Sequence, residues 1–261
     1  MKRRVVSESE LKLLLDDRVF QYNNTSFIEA DPISVPRRYN SKGDIEVSGL
    51  LTALISWGQR PVILKNAVRL MAMMDDAPHA FVTTASKREL DLLSAFVHRT
   101  FNGEDAIGFV KSLQMIYKKH GGPEALYKNC LEKHDFDGAF AISAFRSAFF
   151  IKGAAPRTTR HMGDPLRGSA AKRFNMYLRW MVRRDNCGVD FGIWKSVSPA
   201  HLYCPLDLHS GRVARQLGLL SRKQDDWKAV AELTENLRKM DPHDPVKYDF
   251  ALFGSGINGQ Y

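Results

Sequence analysis

The sequence is poor in cysteine, with three residues in 261. Cys130, Cys187 and Cys204 form no CxxC pair and no Cys/His group at zinc or iron–sulfur spacing. Their odd number and wide gaps make no disulfide framework either. Reduced, mostly buried thiols are expected, with no metal and no cofactor. No apolar run approaches the roughly 18 residues of a membrane span, so no membrane partner is expected. The basic start Met1-Lys2-Arg3-Arg4 is followed by Ser7 to Glu10 and Asp16-Asp17, not by an apolar stretch. That argues against a secretory signal and for a cytoplasmic protein. Glycine (18) and proline (11) are too sparse for a collagen-like or disordered chain. What remains is 44% apolar and 26% charged, enough for one domain or two small ones with a sizeable core.

Strand alternation is nearly absent, and helical periodicity runs through the chain. Asp44 can cap a helix bearing Val47, Leu50, Leu51, Leu54 and Ile55. Pro61 suits the first turn of another, with Leu64, Val68, Met71 and Met74 on one face. Ser86 and Glu89 make a capping box. A helix over 104–119 stops at Gly121-Gly122, Pro123 opens a short helix to about Lys133, and Asp137 precedes one reaching about Phe150. The second half opens with a loop, 152–167. Helices are then expected near 169–184, 210–219, 226–240 and 245–253, with a strand conceivable over 189–194. The fold class is all-α, in two lobes. Residues 44–151 form one lobe and 152–261 the other, with segment 1–43 packed on the C-terminal helices.

The net charge of +9 is uneven. Between Lys152 and Arg184 lie nine basic residues (Lys152, Arg157, Arg160, Arg167, Lys172, Arg173, Arg179, Arg183 and Arg184) against one acid, Asp164. Such a stripe attracts a polyanion, most often nucleic acid. Solvated faces usually mix signs.

Two segments carry chemistry. Leu166-Arg167-Gly168-Ser169-Ala170-Ala171-Lys172 is a glycine-bearing turn that opens a helix, where free N–H groups can hold a phosphate. The positive end of the helix dipole and Arg173 disfavour the charged form of Lys172, which is one way to make an amine nucleophilic. From spacing alone, an exposed lysine on a basic helix is the stronger reading. Pro205 to Gly218 places Asp207 before an amphipathic helix. Asp207 reads as an N-cap or as a carboxylate facing a developing positive charge, and His209 and Ser210 read as local capping residues.

In this order the two segments resemble the helix-hairpin-helix DNA glycosylases, the HhH-GPD superfamily. That family shows L-P-G-V-G-x-K-T-A and then V-D-T-H-x-x-R-V-x-x-R-L-G. Leu166, Gly168 and Lys172 match the first; Asp207, His209, Arg212, Val213, Arg215, Leu217 and Gly218 match the second. Ala53 to Arg60 resembles the family's L-L-S-x-Q-x segment, and Asp249 to Gly254 its closing helix. The chain departs from the pattern at Ala170, in the 35-residue gap from Lys172 to Asp207, and in having no cysteine after Cys204. An insertion around 185–204 accounts for the gap. The whole chain, including Asp31-Pro32-Ile33-Ser34-Val35-Pro36, is also similar to an uncharacterised bacterial family of about this length.

The resemblance implies a base-excision enzyme, a bifunctional DNA glycosylase and AP lyase with its active site between the lobes. Such enzymes flip a damaged base out of double-stranded DNA and cleave its glycosidic bond. It gives Lys172 the role of amine nucleophile and Asp207 that of the carboxylate opposing the oxocarbenium-like sugar. It assigns DNA contacts to Arg167, Gly168, Ser169, Ala170 and Arg173, and to Arg179 and Arg183 further along the same helix. Gln59, Arg60 and His209 complete the set, with Gln59 filling the gap left by the flipped nucleotide. Trp57, Phe174, Trp180 and Trp194 are candidates for stacking on the base, although large aromatics are more often core. The expected partner is duplex DNA with a damaged base or abasic site, and the expected state is a monomer. Two other readings stay open: a DNA-binding protein that has lost catalysis, and a helical adaptor for RNA or an acidic protein.

Overall fold

The computed structural model describes residues 7–150 and 154–259. Met1 to Arg4, Lys152 and the expected boundary at 151–152 lie outside the described residues. The chain begins with α1 (Glu8–Tyr22), followed by one-turn 3-10 helices at Thr25–Phe27, Pro32–Ser34 and Pro36–Arg38. Then come α2 (Lys42–Leu54), α3 (Arg60–Ala72), α4 (Pro78–Thr84) and α5 (Lys87–Leu92). A two-residue hairpin, β1 (Val97–His98) and β2 (Phe101–Asn102), leads into α6 (Gly103–His120), α7 (Pro123–Lys133) and α8 (Gly138–Phe149). The rest holds α9 (Pro156–Thr159), α10 (Lys172–Val182), α11 (Leu208–Gln216), α12 (Trp227–Met240) and α13 (Tyr248–Asn258). The architecture is all-α, and no helix among the described residues is long and apolar enough to cross a membrane.

Local signals set most boundaries. Ser86 and Glu89 close a reciprocal capping box at the start of α5. Gly121 ends α6 in a left-handed conformation, which glycine adopts without a Cβ clash. Asp137 caps α8 through the N–H groups of Ala139 and Phe140. Four expectations need correction. Ser41, not Asp44, caps α2, and the Asp44 carboxylate instead takes the His79 N–H at 3.0 Å. The buried stripe of α3 is Ile63, Ala67, Leu70 and Met71, while Val68 is exposed. The hairpin helix starts at Lys172 and not at Ser169, because Ala171 sits at φ 46° and breaks the turn before it. Residues 189–194 form no strand; their N–H groups finish α10, with Phe191 and Gly192 bonded to the Trp180 carbonyl and Trp194 to that of Met181.

Two hydrophobic clusters organise the molecule. The larger gathers α2, α6, α7, α8 and α10 around Phe109, Tyr127, Phe145, Phe174, Tyr177, Trp180 and Trp194. Burial of side chains of this size stabilises by about 1.5–3 kcal/mol each relative to exposure. The smaller joins α11, α12 and α13 with Leu15 of α1, and α1 packs along α13. Trp227 packs against both clusters. A cleft opens where the start of α3, the first turns of α10 and α11, and α13 converge.

Candidate active site

The turn before α10 is held from both sides. Asp164 caps the one-turn helix Pro165–Arg167 by taking the Leu166 N–H at 3.1 Å, and Gly168 follows at φ 86°. Ser169 pairs with Asp226 in an isolated antiparallel bridge, and the Trp227 N–H donates to the Gly168 carbonyl at 3.2 Å. The Ser169 hydroxyl accepts from the Ala171 N–H, and the Ala170 carbonyl from the Asn175 amide. No side chain caps α10 itself. A hollow of about 320 Å³ lies against that start, walled by Ser169, Ala170, Ala171, Lys172, Arg173 and His161 among others.

Lys172 is the first residue of α10, and its Nζ lies 3.6 Å from Asp207 Oδ2 and 3.6 Å from Met176 Sδ. Asp207 divides its two oxygens. Oδ1 accepts from the N–H groups of His209 (2.9 Å) and Ser210 (3.1 Å), and Ser210 Oγ accepts in return from the Asp207 N–H. Oδ2 is left to face the amine. The pair borders a cavity of about 460 Å³. Its walls are Phe27, Trp57 and Phe253 on the apolar side, and Asp31, Arg60, Arg173, Arg179 and Asp249 on the charged side. Burial pushes the Asp249 carboxyl up to about 6 in spite of Arg179 beside it. Burial also raises Asp31, against the charges of Arg179, Lys172 and Arg60. Arg173 is pulled down to about 10 by burial; it donates to the Leu54 carbonyl and lies 4.7 Å over the Trp57 ring. The Trp57 ring also stacks on His161 and meets the edge of His98, so its orientation is fixed.

The remaining expected site residues fall into four groups. Arg60 and His209 line the cavity, each against the Phe253 ring. Gln59 is the exposed N-cap of α3, without a side-chain hydrogen bond to the helix, between the cavity residues Gly58 and Arg60. Arg167 and Gly168 are exposed at the turn. Arg179 and Arg183 overturn their expected role. They are 4% and 2% exposed. Arg179 pairs with Asp190 at 3.3 Å and with Asp249. Arg183 pairs with Asp185 (2.7 Å), Asp190 (3.1 Å) and Asp244 (2.9 Å). Both guanidinium groups sit over the Phe250 ring. Both guanidinium groups are taken up by these buried pairs rather than displayed on the surface.

The same ion pairs correct the charge argument, because most of the neutralising acids lie outside the basic window. Arg157 is likewise paired, with Glu104 and Asp105. Among the described residues, the cations of that stretch that stay exposed are Arg160, Arg167 and Arg184. Of the aromatic candidates, Phe174, Trp180 and Trp194 are core, and Trp57 alone among the four lines the cavity. Asp31, Asp249, Phe27 and Phe253 were not expected at the site; Asp31 caps the helix Pro32–Ser34, a local signal that says nothing of a cavity. Cys130 and Cys204 are buried thiols and Cys187 is exposed. Among the described residues no cluster of His, Cys, Asp or Glu suits a metal ion.

A family model described as a protein of unknown function, DUF2400, matches residues 31–258, from the Asp31 cap through the end of α13. No curated protein and no solved structure matches the chain. Both motif segments and every wall of the cavity but Phe27 fall within the matched span, and the chain belongs to the DUF2400 family.

Proposed function

We propose that the chain is a base-excision enzyme acting on double-stranded DNA, a bifunctional glycosylase and AP lyase of the helix-hairpin-helix kind. The observation that carries this reading is the approach of Lys172 Nζ to Asp207 Oδ2, 3.6 Å, at the edge of a cavity large enough for a nucleobase. The two residues lie 35 positions apart, and the resemblance pairs them as nucleophile and carboxylate. Support also comes from the turn before α10, whose helix start has no side-chain cap, and from Arg60 and Arg173 at the cavity.

In this mechanism Asp207 Oδ2 takes a proton from the Lys172 ammonium. The freed Nζ lone pair forms a bond to C1′ as the C1′–N bond breaks, and the base leaves with the electrons of the broken bond and takes up the proton held on Asp207. The Asp207 carboxylate, ionised again as that proton passes to the base, opposes the positive charge that builds on the sugar. Ring opening then gives an imine between Lys172 and C1′. Loss of a C2′ proton expels the 3′ phosphate and cuts the strand.

Borohydride reduces an imine to a stable amine. Wild type with abasic-site DNA should therefore yield a covalent protein–DNA species on a denaturing gel. Lys172→Gln should lose that species while DNA binding persists. Asp207→Asn keeps the cap and the shape but not the charge, and should lower the rate on the order of 10²–10³-fold. If wild type traps no DNA and Lys172→Gln acts on it as wild type does, the amine is no nucleophile and the reading falls.

A further inference from the structure

A third hollow, of about 360 Å³, is walled by Trp57, Thr100, Arg160, His161 and Arg173. Two of those five side chains are guanidinium groups and none is an acid. Arg173 donates to the Leu54 carbonyl and lies over the Trp57 ring, and it forms no ion pair among the described residues. Arg160 is exposed, and among the described residues its side chain has neither a hydrogen bond nor an ion pair. The carboxylate bonded to His161 is already balanced. Asp105, fully buried, takes His161 Nε2 (3.2 Å), Thr158 Oγ1 (2.8 Å) and Arg157 Nη2 (3.0 Å), so its charge faces that of Arg157. Burial holds the His161 imidazole below its usual range, which keeps it neutral at pH 7. A further cation stands beside the wall. Arg99, next to Thr100 at the hairpin tip, holds its guanidinium against Gly58, where a Cβ would lie 2.8 Å from Nη1. Its backbone sits at φ 55°, a strained conformation for an arginine.

Arg173 borders three hollows, and their walls differ in charge. The cavity with Lys172 holds Asp31, Asp207 and Asp249, and the hollow at the start of α10 holds Asp225. Of the three, the hollow with Arg160 alone presents cations and no acid. A partly buried cation without a counter-charge costs free energy, and an anion beside it offsets that cost. The planar guanidinium fork suits the oxygens of a phosphate.

We propose that this hollow is a site for a terminal phosphate, a phosphate monoester contacted by Arg160 and Arg173. A monoester carries close to two negative charges at pH 7 and matches the two guanidinium groups. A phosphodiester inside a nucleic-acid strand carries one and leaves the wall half-neutralised. Phosphorylated strand ends at nicks and small monoesters such as nucleoside monophosphates share this chemistry. The site goes beyond the base-excision reading, and no part of it depends on an imine at Lys172.

The test uses the full chain and a nicked DNA duplex with either a 5′-phosphate or a 5′-hydroxyl at the nick, with binding followed by fluorescence anisotropy. Wild type should bind the phosphorylated nick roughly 10- to 100-fold more tightly, as a charge-assisted hydrogen bond provides. Arg160→Gln removes one guanidinium from an exposed position. The ratio should fall towards one, while the melting midpoint of the free protein stays within about 1 °C. Arg184→Gln removes the same charge from an exposed position outside the hollow and should keep the ratio. Calorimetry with thymidine 5′-monophosphate, against thymidine as the uncharged control, separates the two sources. Binding of the nucleotide by wild type and not by Arg160→Gln extends the site to free monoesters, and binding of the phosphorylated nick alone assigns it to strand ends. Equal affinity for the two nicks with no binding of the monophosphate overturns the proposal. So does a preference for the phosphorylated nick that Arg160→Gln retains. Failure to trap an imine on abasic DNA removes the glycosylase reading and leaves this site standing.

Discussion

Arg179→Met separates a buried charge hub from a DNA-contacting surface. The substitution keeps much of the apolar bulk beneath Phe250 and removes the guanidinium, so its effect reads charge more than volume. Asp190 keeps Arg183 at 3.1 Å, but Asp249 loses the one cation bonded to it among the described residues and is left as a buried, uncompensated carboxylate. Removing one partner of such a pair costs about 3–5 kcal/mol. For a chain of this length the entropy of unfolding is about 0.5 kcal/mol per degree, so the midpoint should fall by roughly 5–9 °C. Thermal unfolding followed by circular dichroism at pH 8 measures it. The loss should shrink at pH 5, where Asp249 escapes the penalty by taking up a proton. A surface arginine would behave otherwise. Its loss would leave the midpoint within about 1 °C and would lower the slope of log K against log salt for DNA by roughly 0.9. A midpoint unchanged at both pH values would refute the assignment of Arg179 to the interior charge network.

Three further outcomes follow from the same geometry. Burial holds Asp249 up to about 6 against an ordinary 3.8, so the folded state binds this proton more tightly than the unfolded chain. Its contribution to stability is full below pH 4 and is lost as pH rises towards 6. The midpoint of wild type minus that of Asp249→Asn should therefore fall from pH 4 to 6 and stay level above, and a flat difference over that range contradicts the burial argument. Gly168→Ala forces an L-residue to φ 86° with open space around the new methyl; strain alone should cost roughly 1–2 kcal/mol, and a midpoint within a degree of wild type would show that the turn relaxes. Gln59→Ala removes an exposed side chain at the cavity mouth and should change stability by less than about 0.5 kcal/mol. Base release from duplex should fall more than release from single strands, whereas equal losses would make Gln59 an ordinary loop residue.

The sequence is legible where a feature and its cause lie within one turn. The caps at Ser86 and Asp137 and the stop at Gly121 depend on residues a few positions away, and the structure repeats them. A box of the same kind, Ser7 with Glu10, opens α1, but Leu13 and Phe20 break the apolar stripe and are exposed, so periodicity does not announce that helix. Charge is where local reading fails. The acids that neutralise Arg179 and Arg183 stand up to 70 residues away, so a window that counts only neighbours makes a buried network look like a basic surface. The cavity fails for the same reason: its walls run from Phe27 to Phe253, and nothing in the segment around Asp31 or Asp249 announces the other.

Asp207 shows how a bland local reading and a functional one can both hold. As a sequence feature it is an N-cap or a site carboxylate, and the two compete for one residue. In the structure the cap uses Oδ1 and leaves Oδ2 facing the Lys172 amine, so the proposed role and the cap need not compete. Binding Oδ1 to two N–H groups and locking the backbone with the Ser210 hydroxyl fixes the side-chain torsions. With those torsions fixed, Oδ2 points at Lys172 without any further support. The cap is therefore the device that positions the carboxylate, at a distance from the amine that suits proton exchange through a small adjustment. A helix start serves this purpose better than a loop, because its N–H groups are unsatisfied and hold whatever oxygen caps them.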